Sequence, residues 1–345
     1  MRMATGSRTE RNATPMNVTV VICTYNRCEC LARALESIAA QVLPDSVRWE
    51  VLVIDNNSTD HTRDVVGEFS KRFPGRFRCV VEPQQGLSFA RNTGVRESRG
   101  TMLAFTDDDV IVEPTWLQNL TAPMETAKCG GVGGRTLIAG AFSPPKWMKL
   151  DGEDNLGAPL AALFDYGLRP CSLHWPPYGA NMAFRKEMFE KYGLFRVDLG
   201  ISPGNRIPNE DTEFGRRLMA AGEQLVYAPS AVVYHPVFEN RLRKSYFLGW
   251  FFDYGRATVR EWKCGPNILG IPRRYFSIAN MIGFRLPQRT FRWIWTFNPQ
   301  QRFFNKCRAW SMAGQIVETY RLARDSKGQK GDPSERAKIG YGAHT

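Results

Sequence analysis

Leu103-Ala104-Phe105-Thr106-Asp107-Asp108-Asp109 is an apolar run that ends in three adjacent carboxylates. Apolar residues ending in charge read as a buried strand reaching the rim of a sheet. Crowded carboxylates repel unless a cation or proton compensates. The triad is therefore expected to hold a divalent metal at the carboxyl edge of a parallel sheet. Four other positions have side chains fit for chemistry. Asp55 follows Val51-Leu52-Val53-Ile54 and could bind the base or ribose edge of a nucleotide. Alternatively, Asn56-Asn57-Ser58-Thr59-Asp60 behind it only supplies turn and N-cap residues. Arg91 could face a diphosphate, although a lone Arg is also an ordinary solvated charge. Glu210-Asp211 lies in Asn209-Glu210-Asp211-Thr212-Glu213 at a helix start. The macrodipole favours acids there for purely structural reasons, while Pro208 and the loop position leave room for a site role. His235, in Tyr234-His235-Pro236, ends a strand, where a lone His is ordinarily structural.

The elements that must position these residues alternate. Val18 to Cys23 reads as a buried strand, Thr24 to Arg27 as its exit loop, and Leu31, Leu35, Ile38 and Val42 as a helix ended by Pro44 and Asp45. Asp55 ends a second strand, and Val65, Val66, Phe69 and Phe73 form its helix. Phe77 to Val81, a helix from Gly86, and a strand from Thr101 to Thr106 complete the pattern to residue 109. Such β-loop-α units build doubly wound sheets, in which ligands sit outside the strand carboxyl ends. The GxGxxG turn of dinucleotide folds is missing, and Gly130-Gly131-Val132-Gly133-Gly134 has the wrong spacing for it. Beyond 109 the spacing predicts a helix from Pro114 or Trp116 to about Thr126. A strand over 130–138 has small residues that would let another backbone or a ligand come close. A long loop over 140–178 follows. Further strands cover 178–184 and 226–235, with a helix from Asn209 to Gly222 between them. Glu213 and Arg217 read as a solvated i,i+4 pair.

With 345 residues, 43% of them hydrophobic, the chain can bury a substantial core in one or two domains. Eight Cys without a CxxC pair indicate neither a zinc knuckle nor a disulfide framework. Reduced thiols in a cytosolic compartment are the expectation. No signal peptide and no transmembrane helix are predicted. The net charge of +12 is uneven: residues 239–345 hold 20 Lys/Arg against 7 Asp/Glu, whereas 1–238 hold 26 against 27. That asymmetry points to an anionic partner surface.

Taken together the motifs resemble family 2 glycosyltransferases, inverting enzymes of the GT-A fold. The resemblance rests on Val21 to Arg27, Val53 to Asp60, Ala90-Arg91-Asn92-Thr93-Gly94, Phe105 to Asp109, Gly179-Ala180-Asn181 and Asn209 to Glu213. It covers roughly 17–238. Each motif alone is weak, and six in order are specific. The resemblance implies an α/β GT-A fold, a Rossmann-like, mostly parallel sheet with flanking helices. It implies that Thr24, Tyr25, Arg27, Asp55, Asn57, Arg91, Asp107 and Asp108 surround a nucleotide-diphosphate sugar. Asp107 to Asp109 matches the family's DxD motif, with Asp109, Asp107 and His235 as ligands of Mg²⁺ or Mn²⁺. Three Asp in a row leave open whether Asp108 or Asp109 touches the metal. Glu210 and Asp211 match the family's acid–Asp pair and are the expected catalytic residues, with Asp211 as the base. A cation on the diphosphate and a carboxylate beside the acceptor hydroxyl suit inverting transfer to a carbohydrate or lipid-linked acceptor, in polysaccharide or glycolipid synthesis.

The expected organisation is a disordered leader over 1–16, a GT-A domain over 17–238, a basic, aromatic-rich helical extension over 239–325 and a disordered tail over 326–345. In the extension, Tyr246, Phe247, Trp250, Phe251, Tyr254 and Trp262 alternate with Arg243, Lys244, Arg256, Arg260 and Lys263. Such a pattern suits a membrane-interface helix on the inner, cytoplasmic face; packing of the aromatics onto the catalytic domain is the alternative. No nucleic-acid-binding motif accompanies it, and no nucleic acid partner is expected. Two rivals stand beside the transferase. A nucleotidyltransferase would want a Gly-rich phosphate loop after the first strand. A sugar-nucleotide-binding scaffold would show no turnover.

Overall fold

The computed structural model describes residues 17–126, 128–261 and 273–328. The expected leader over 1–16, Trp262, Lys263 and residues 329–345 lie outside the described residues. β1 (Val18–Thr24), α1 (Cys28–Ala39), β2 (Trp49–Asp55), α2 (Thr62–Arg72), β3 (Phe77–Val81), α3 (Leu87–Glu97) and β4 (Met102–Asp107) form the alternating half. Next come β5 (Ile111–Val112), α4 (Trp116–Thr126), β6 (Gly131–Ile138), α5 (Gly157–Ala161), β7 (Cys171–Ser172), β8 (Asn181–Arg185), α6 (Lys186–Tyr192), α7 (Glu210–Ala220) and β9 (Leu225–His235). Among the described residues these strands form one sheet in the order β3-β2-β1-β4-β8-β6-β9-β5, with β7 also on β9. Strands β3, β2, β1 and β4 run parallel, and β8 enters antiparallel to β4. The α/β fold with flanking helices matches the reading of the sequence; the antiparallel pairs arise in its second half.

Alternation along buried strands fills two cores. Val18, Val20 and Ile22 of β1 pack with Leu31, Leu35 and Ile38 of α1 and Trp116, Leu117 and Leu120 of α4. Val21 points the other way, toward Ala90 and Val95 of α3 and the Phe189–Phe214 pair of α6 and α7. Period-two side chains that are apolar on both faces are what a strand covered on both sides requires.

Several boundaries differ from expectation. Val42 is not part of α1 and is exposed. The chain leaves the helix after Ala39, and the Val42 amide donates to Pro114 O at 2.8 Å. Residues 178–180 form a turn rather than a strand, with the Asn181 amide on Tyr178 O at 3.0 Å. The 140–178 loop contains α5 and β7, and α6 has no counterpart in the expected elements. In β6 the close approach is by protein, side chain and backbone alike: a Cβ on Gly134 would sit 2.4 Å from Asn181 Oδ1 and 2.5 Å from Ala231 O.

After β9 the chain forms α8 (Lys244–Glu261), α9 (Arg273–Asn280), a π-helical turn (Met281–Arg285), α10 (Leu286–Trp295) and α11 (Pro299–Gly328). The last helix runs three residues into the expected tail. Phe247, Phe251 and Phe303 are buried with Met148, Leu156 and Leu160 of the long loop. The aromatics of α8 therefore pack onto the catalytic domain, which corrects the membrane-interface reading for that helix. Arg256 and Arg260 of α8 bind the fully buried Glu318 of α11 at 3.0 and 2.7 Å. No described helix is long and apolar enough to cross a membrane.

Candidate active site

Parallel pairing sets the carboxyl ends of three strands level: Thr24 of β1 lies opposite Asp55 of β2, and Cys23 opposite Asp107 of β4. The chain order reverses at β1, with β2 on one side and β4 on the other, and α3 crosses on the face opposite to α1 and α2, which makes this a switch point for ligand binding. Thr24 Oγ1 donates to Asp108 Oδ2 at 2.7 Å. Arg27 reaches across with one nitrogen on Asp108 (3.0 Å) and another on Asp109 (2.8 Å). Asp108 is thus committed to protein donors. Burial nevertheless pushes its carboxyl up to about 7, and burial together with Asp109 pushes Asp107 upward.

Asp109 differs from Asp108. Its Oδ1 is buried and has no hydrogen-bond partner. It faces His235 Nε2 at 3.6 Å. His235 Nδ1 lies 2.8 Å from the Pro236 carbonyl, which can only accept. Nδ1 is therefore the donor to that carbonyl, and Nε2 is the ring nitrogen that faces the carboxylate oxygen. Ligand atoms of Asp107, Asp109 and His235 all lie within 4.8 Å of one another. A carboxylate oxygen and a ring nitrogen facing each other in a buried place are compensated by a proton or by a cation between them. Two carboxylates and one imidazole fit an oxygen-preferring divalent ion such as Mn²⁺.

On the neighbouring wall, Arg91 of α3 is buried and paired with Glu210 of α7, with Asp107 Oδ1 3.8 Å away. Burial alone would lower the guanidinium's pKa, but Glu210, Asp211 and Asp107 more than offset this and raise it. Burial pushes the Glu210 carboxyl up while Arg91 pulls it down. Direct contact with a cation that stays charged favours the ionised pair. Gly179 is required beside it, since a Cβ there would sit 1.9 Å from Arg91 Nη2. The same glycine donates its N–H to Asp211 Oδ2 at 2.6 Å. Asn209, left-handed at φ 82°, turns the chain into α7 just before the acids.

Other expected site residues divide. Tyr25 and Asn57 are exposed at the rim, and Asn57 is left-handed at φ 67°. Asp55 is fully buried with both oxygens taken, by the Ser58 N–H and Arg63 Nε, each at 2.7 Å. Asn56, read only as a turn residue, ties β2 to the loop before α3. Its amide donates to Glu82 O and Gln84 O and accepts from the Gly86 N–H. Arg217 is not merely a solvated partner of Glu213, for it also holds the carbonyls of Tyr192 and Leu194. Asn181 bonds Trp116 Nε1, Arg135 O and Ala231 O, so it locks strands together.

A cleft of about 920 Å³ is lined by Arg91, Asp107, Gly179, Glu210, Asp211 and His235 on the sheet side. Its outer wall is Trp250 and Tyr254 of α8, Arg289 of α10 and Arg308 of α11. These outer residues were not singled out as site residues in the sequence. Their only signal there was basic residues interleaved with aromatics.

Residues 19–193, half of the chain, match Glycosyl transferase family 2, and the chain belongs to that family. Succinoglycan biosynthesis protein ExoM of Rhizobium meliloti is 31% identical over 246 residues, spanning 71% of this chain and 75% of that protein. Glycosyltransferase AglE of Haloferax volcanii is 27% identical over 271 residues, spanning 77% and 81%. Among solved structures, the mannosyltransferase PcManGT from Pyrobaculum calidifontis, in complex with GDP-Man and Mn²⁺, aligns over 94% of this chain and 85% of its own. Its TM-score is 0.53 at 17% identity, a likeness of fold. The protein is a glycosyltransferase with a GT-A fold.

Proposed function

We propose that the protein is an inverting hexosyltransferase that moves a sugar from a nucleotide-diphosphate sugar to a hydroxyl of a carbohydrate or lipid-linked acceptor. Polysaccharide or glycolipid synthesis is the setting in keeping with its succinoglycan-synthesis relative. One observation carries the reading: a single cleft is lined by Asp107 and His235 of the metal-type triad and by Asp211. Thr24, Tyr25, Arg27, Asn57, Arg91, Asp107 and Asp108 are assigned to the donor side. Asp55 serves it through the loop it braces. Asp109, with Asp107 and His235, would hold Mg²⁺ or Mn²⁺. Such a cation, when bound, neutralises the charge of a diphosphate leaving group.

The chain's own groups do the rest. Asp211 takes the acceptor hydroxyl's proton as that oxygen attacks the anomeric carbon from the face opposite the diphosphate, inverting configuration. The Gly179 N–H fixes the orientation of its carboxylate. Glu210 is a positioning residue: its pairing with Arg91 pins the first turn of α7. The catalytic domain is assigned to 17–238 and the extension to 239–325, with the extension completing the cleft. A cytoplasmic place on the inner membrane face accords with unpaired thiols at the seven described cysteines.

A thermal-shift screen of UDP-, GDP-, dTDP- and CDP-sugars with Mg²⁺ and Mn²⁺ identifies the donor. With that donor, Asp211→Asn is expected to lower kcat by about 10³-fold while leaving donor affinity unchanged. Full activity in that variant overturns the base, and activity in excess chelator overturns the metal.

A further inference from the structure

From Trp262 through Val317 the chain contains no Asp or Glu and nine Lys/Arg. Within that stretch α10 and α11 bring Arg289 and Arg308 to the cleft wall. Neither has an ion-pair partner among the described residues, whereas nearby Arg256 and Arg260 share Glu318. Arg289 Nη1 is buried and makes no hydrogen bond. Burial, and then the like charges of Arg308, Arg292 and Arg285, push its guanidinium below its ordinary value. Glu153, Asp154 and Asp253 also line the cleft, but none is ion-paired with either arginine; cations left without a paired acid repel one another, and an anion resolves the repulsion.

Among the described residues, the segment 284–297 leaves an apolar face uncovered. Phe284, Phe291, Trp295 and Phe297 are 65, 61, 64 and 93% exposed, with Ile294 beside them. Exposed Trp and Phe flanked by Arg, without acids, match the boundary of an anionic lipid layer. Half-buried cations on the cleft wall and lipid-compatible aromatics outside it thus sit on one continuous stretch, 284–308.

We propose that Arg289 and Arg308 form an acceptor subsite that binds the phosphate or diphosphate of a lipid-linked acceptor, while the exposed face of 284–297 rests in the lipid surface. This rests on the glycosyltransferase reading and names its acceptor class. The donor diphosphate is held elsewhere, at the Asp107–Asp109–His235 end. A guanidinium pair grips phosphate oxygens through directed N–H bonds, and seated there the lipid head would present its sugar hydroxyl along the cleft toward Asp211.

The first arm titrates the full-length protein with inorganic pyrophosphate by calorimetry, in EDTA and physiological salt. Binding is expected, and Arg289→Gln/Arg308→Gln weakens it by about tenfold or more. Arg243→Gln/Arg302→Gln removes the same charge from exposed positions outside the cleft and leaves it unchanged. The second arm floats the protein on phosphatidylcholine vesicles with and without undecaprenyl phosphate. Flotation is expected only with the polyprenyl phosphate, and is lost in Arg289→Gln/Arg308→Gln. Phe291→Ser/Trp295→Ser also loses flotation, yet binds pyrophosphate normally. The subsite is overturned by no pyrophosphate binding in EDTA, or by equal weakening in the control pair. Normal pyrophosphate binding with flotation indifferent to polyprenyl phosphate overturns the lipid assignment and leaves a free phosphate as ligand. A tenfold loss of sugar-nucleotide affinity in Arg289→Gln/Arg308→Gln reassigns the arginines to the donor. None of these readouts depends on Asp211, so failure here is distinct from failure of the transferase mechanism.

Discussion

Three adjacent aspartates take three different environments. Asp108 is bound by Thr24 and Arg27, Asp107 lies near Arg91, and Asp109 keeps one buried oxygen unpartnered opposite His235 Nε2. Adjacent strand-end residues point in different directions, so one register cannot give all three the same partners. Within the reading proposed for this site, that singles out Asp109 over Asp108 for the metal. His235→Ala is then expected to raise the Mn²⁺ concentration for half-maximal turnover by about tenfold or more. A metal titration of donor turnover measures this, and an unshifted curve removes His235 from the ligand set. The acidic run and the histidine were both visible in the sequence. Their convergence was not, because β4 and β9 are separated in the sheet by β8 and β6.

At the scale of elements, α8 and α11 cross with their backbones nearly touching. A Cβ on Gly314 would lie 2.0 Å from Phe252 O, and one on Gly255 would lie 1.9 Å from Ser311 O. A carbonyl in a packed helix cannot step aside as a side-chain tip can. Gly314→Ala is expected to cost about 1–3 kcal/mol through overpacking. Gly249 of α8 has nothing within 4 Å of its would-be Cβ. Gly249→Ala should instead stabilise the helix by up to about 1 kcal/mol. Urea unfolding of the two variants reads both signs, and equal effects would show that the crossing is not backbone-limited. The helices themselves were expected from composition, but the crossing glycines carry no periodic signal. Arg217 teaches the same point: an i,i+4 partner of Glu213 in sequence, it clasps the 192–194 carbonyls in space.

For the whole molecule, stability in acid is tied to Glu50, buried at the amino end of the sheet. It accepts from Thr19 Oγ1 (2.8 Å), the Arg99 amide (2.9 Å) and Arg78 Nε (2.8 Å). Burial pushes its carboxyl up, but Arg78, the Arg99 amide and Thr19 more than offset this and hold it below 4.5. A depressed folded pKa contributes stability above the unfolded value, and that contribution is lost as pH falls through the folded one. Glu50→Gln is therefore expected to cost about 3 kcal/mol at neutral pH. The gap to the unmodified protein should narrow as pH drops below 4.5. Denaturant midpoints across that range measure it, and a gap constant with pH would show that Glu50 is not ionised in the fold.

By itself the sequence determined the alternating half of the sheet, because strands buried on both faces must be continuously apolar and their exits must be polar. Its six spaced motifs were enough to indicate the family. Only the tertiary structure decided where the described helices of the basic C-terminal third pack. The pattern of α8 suits a lipid surface or a protein core equally well, and the choice depends on whether an apolar partner is within reach. The 147–160 loop supplies one for Phe247 and Phe251, while nothing among the described residues covers Phe291 and Trp295. The same distant contacts set Arg289 and Arg308 in the cleft that holds Asp211. No local pattern encodes that meeting, because it joins residues far apart along the chain through helices whose facing is fixed only by packing.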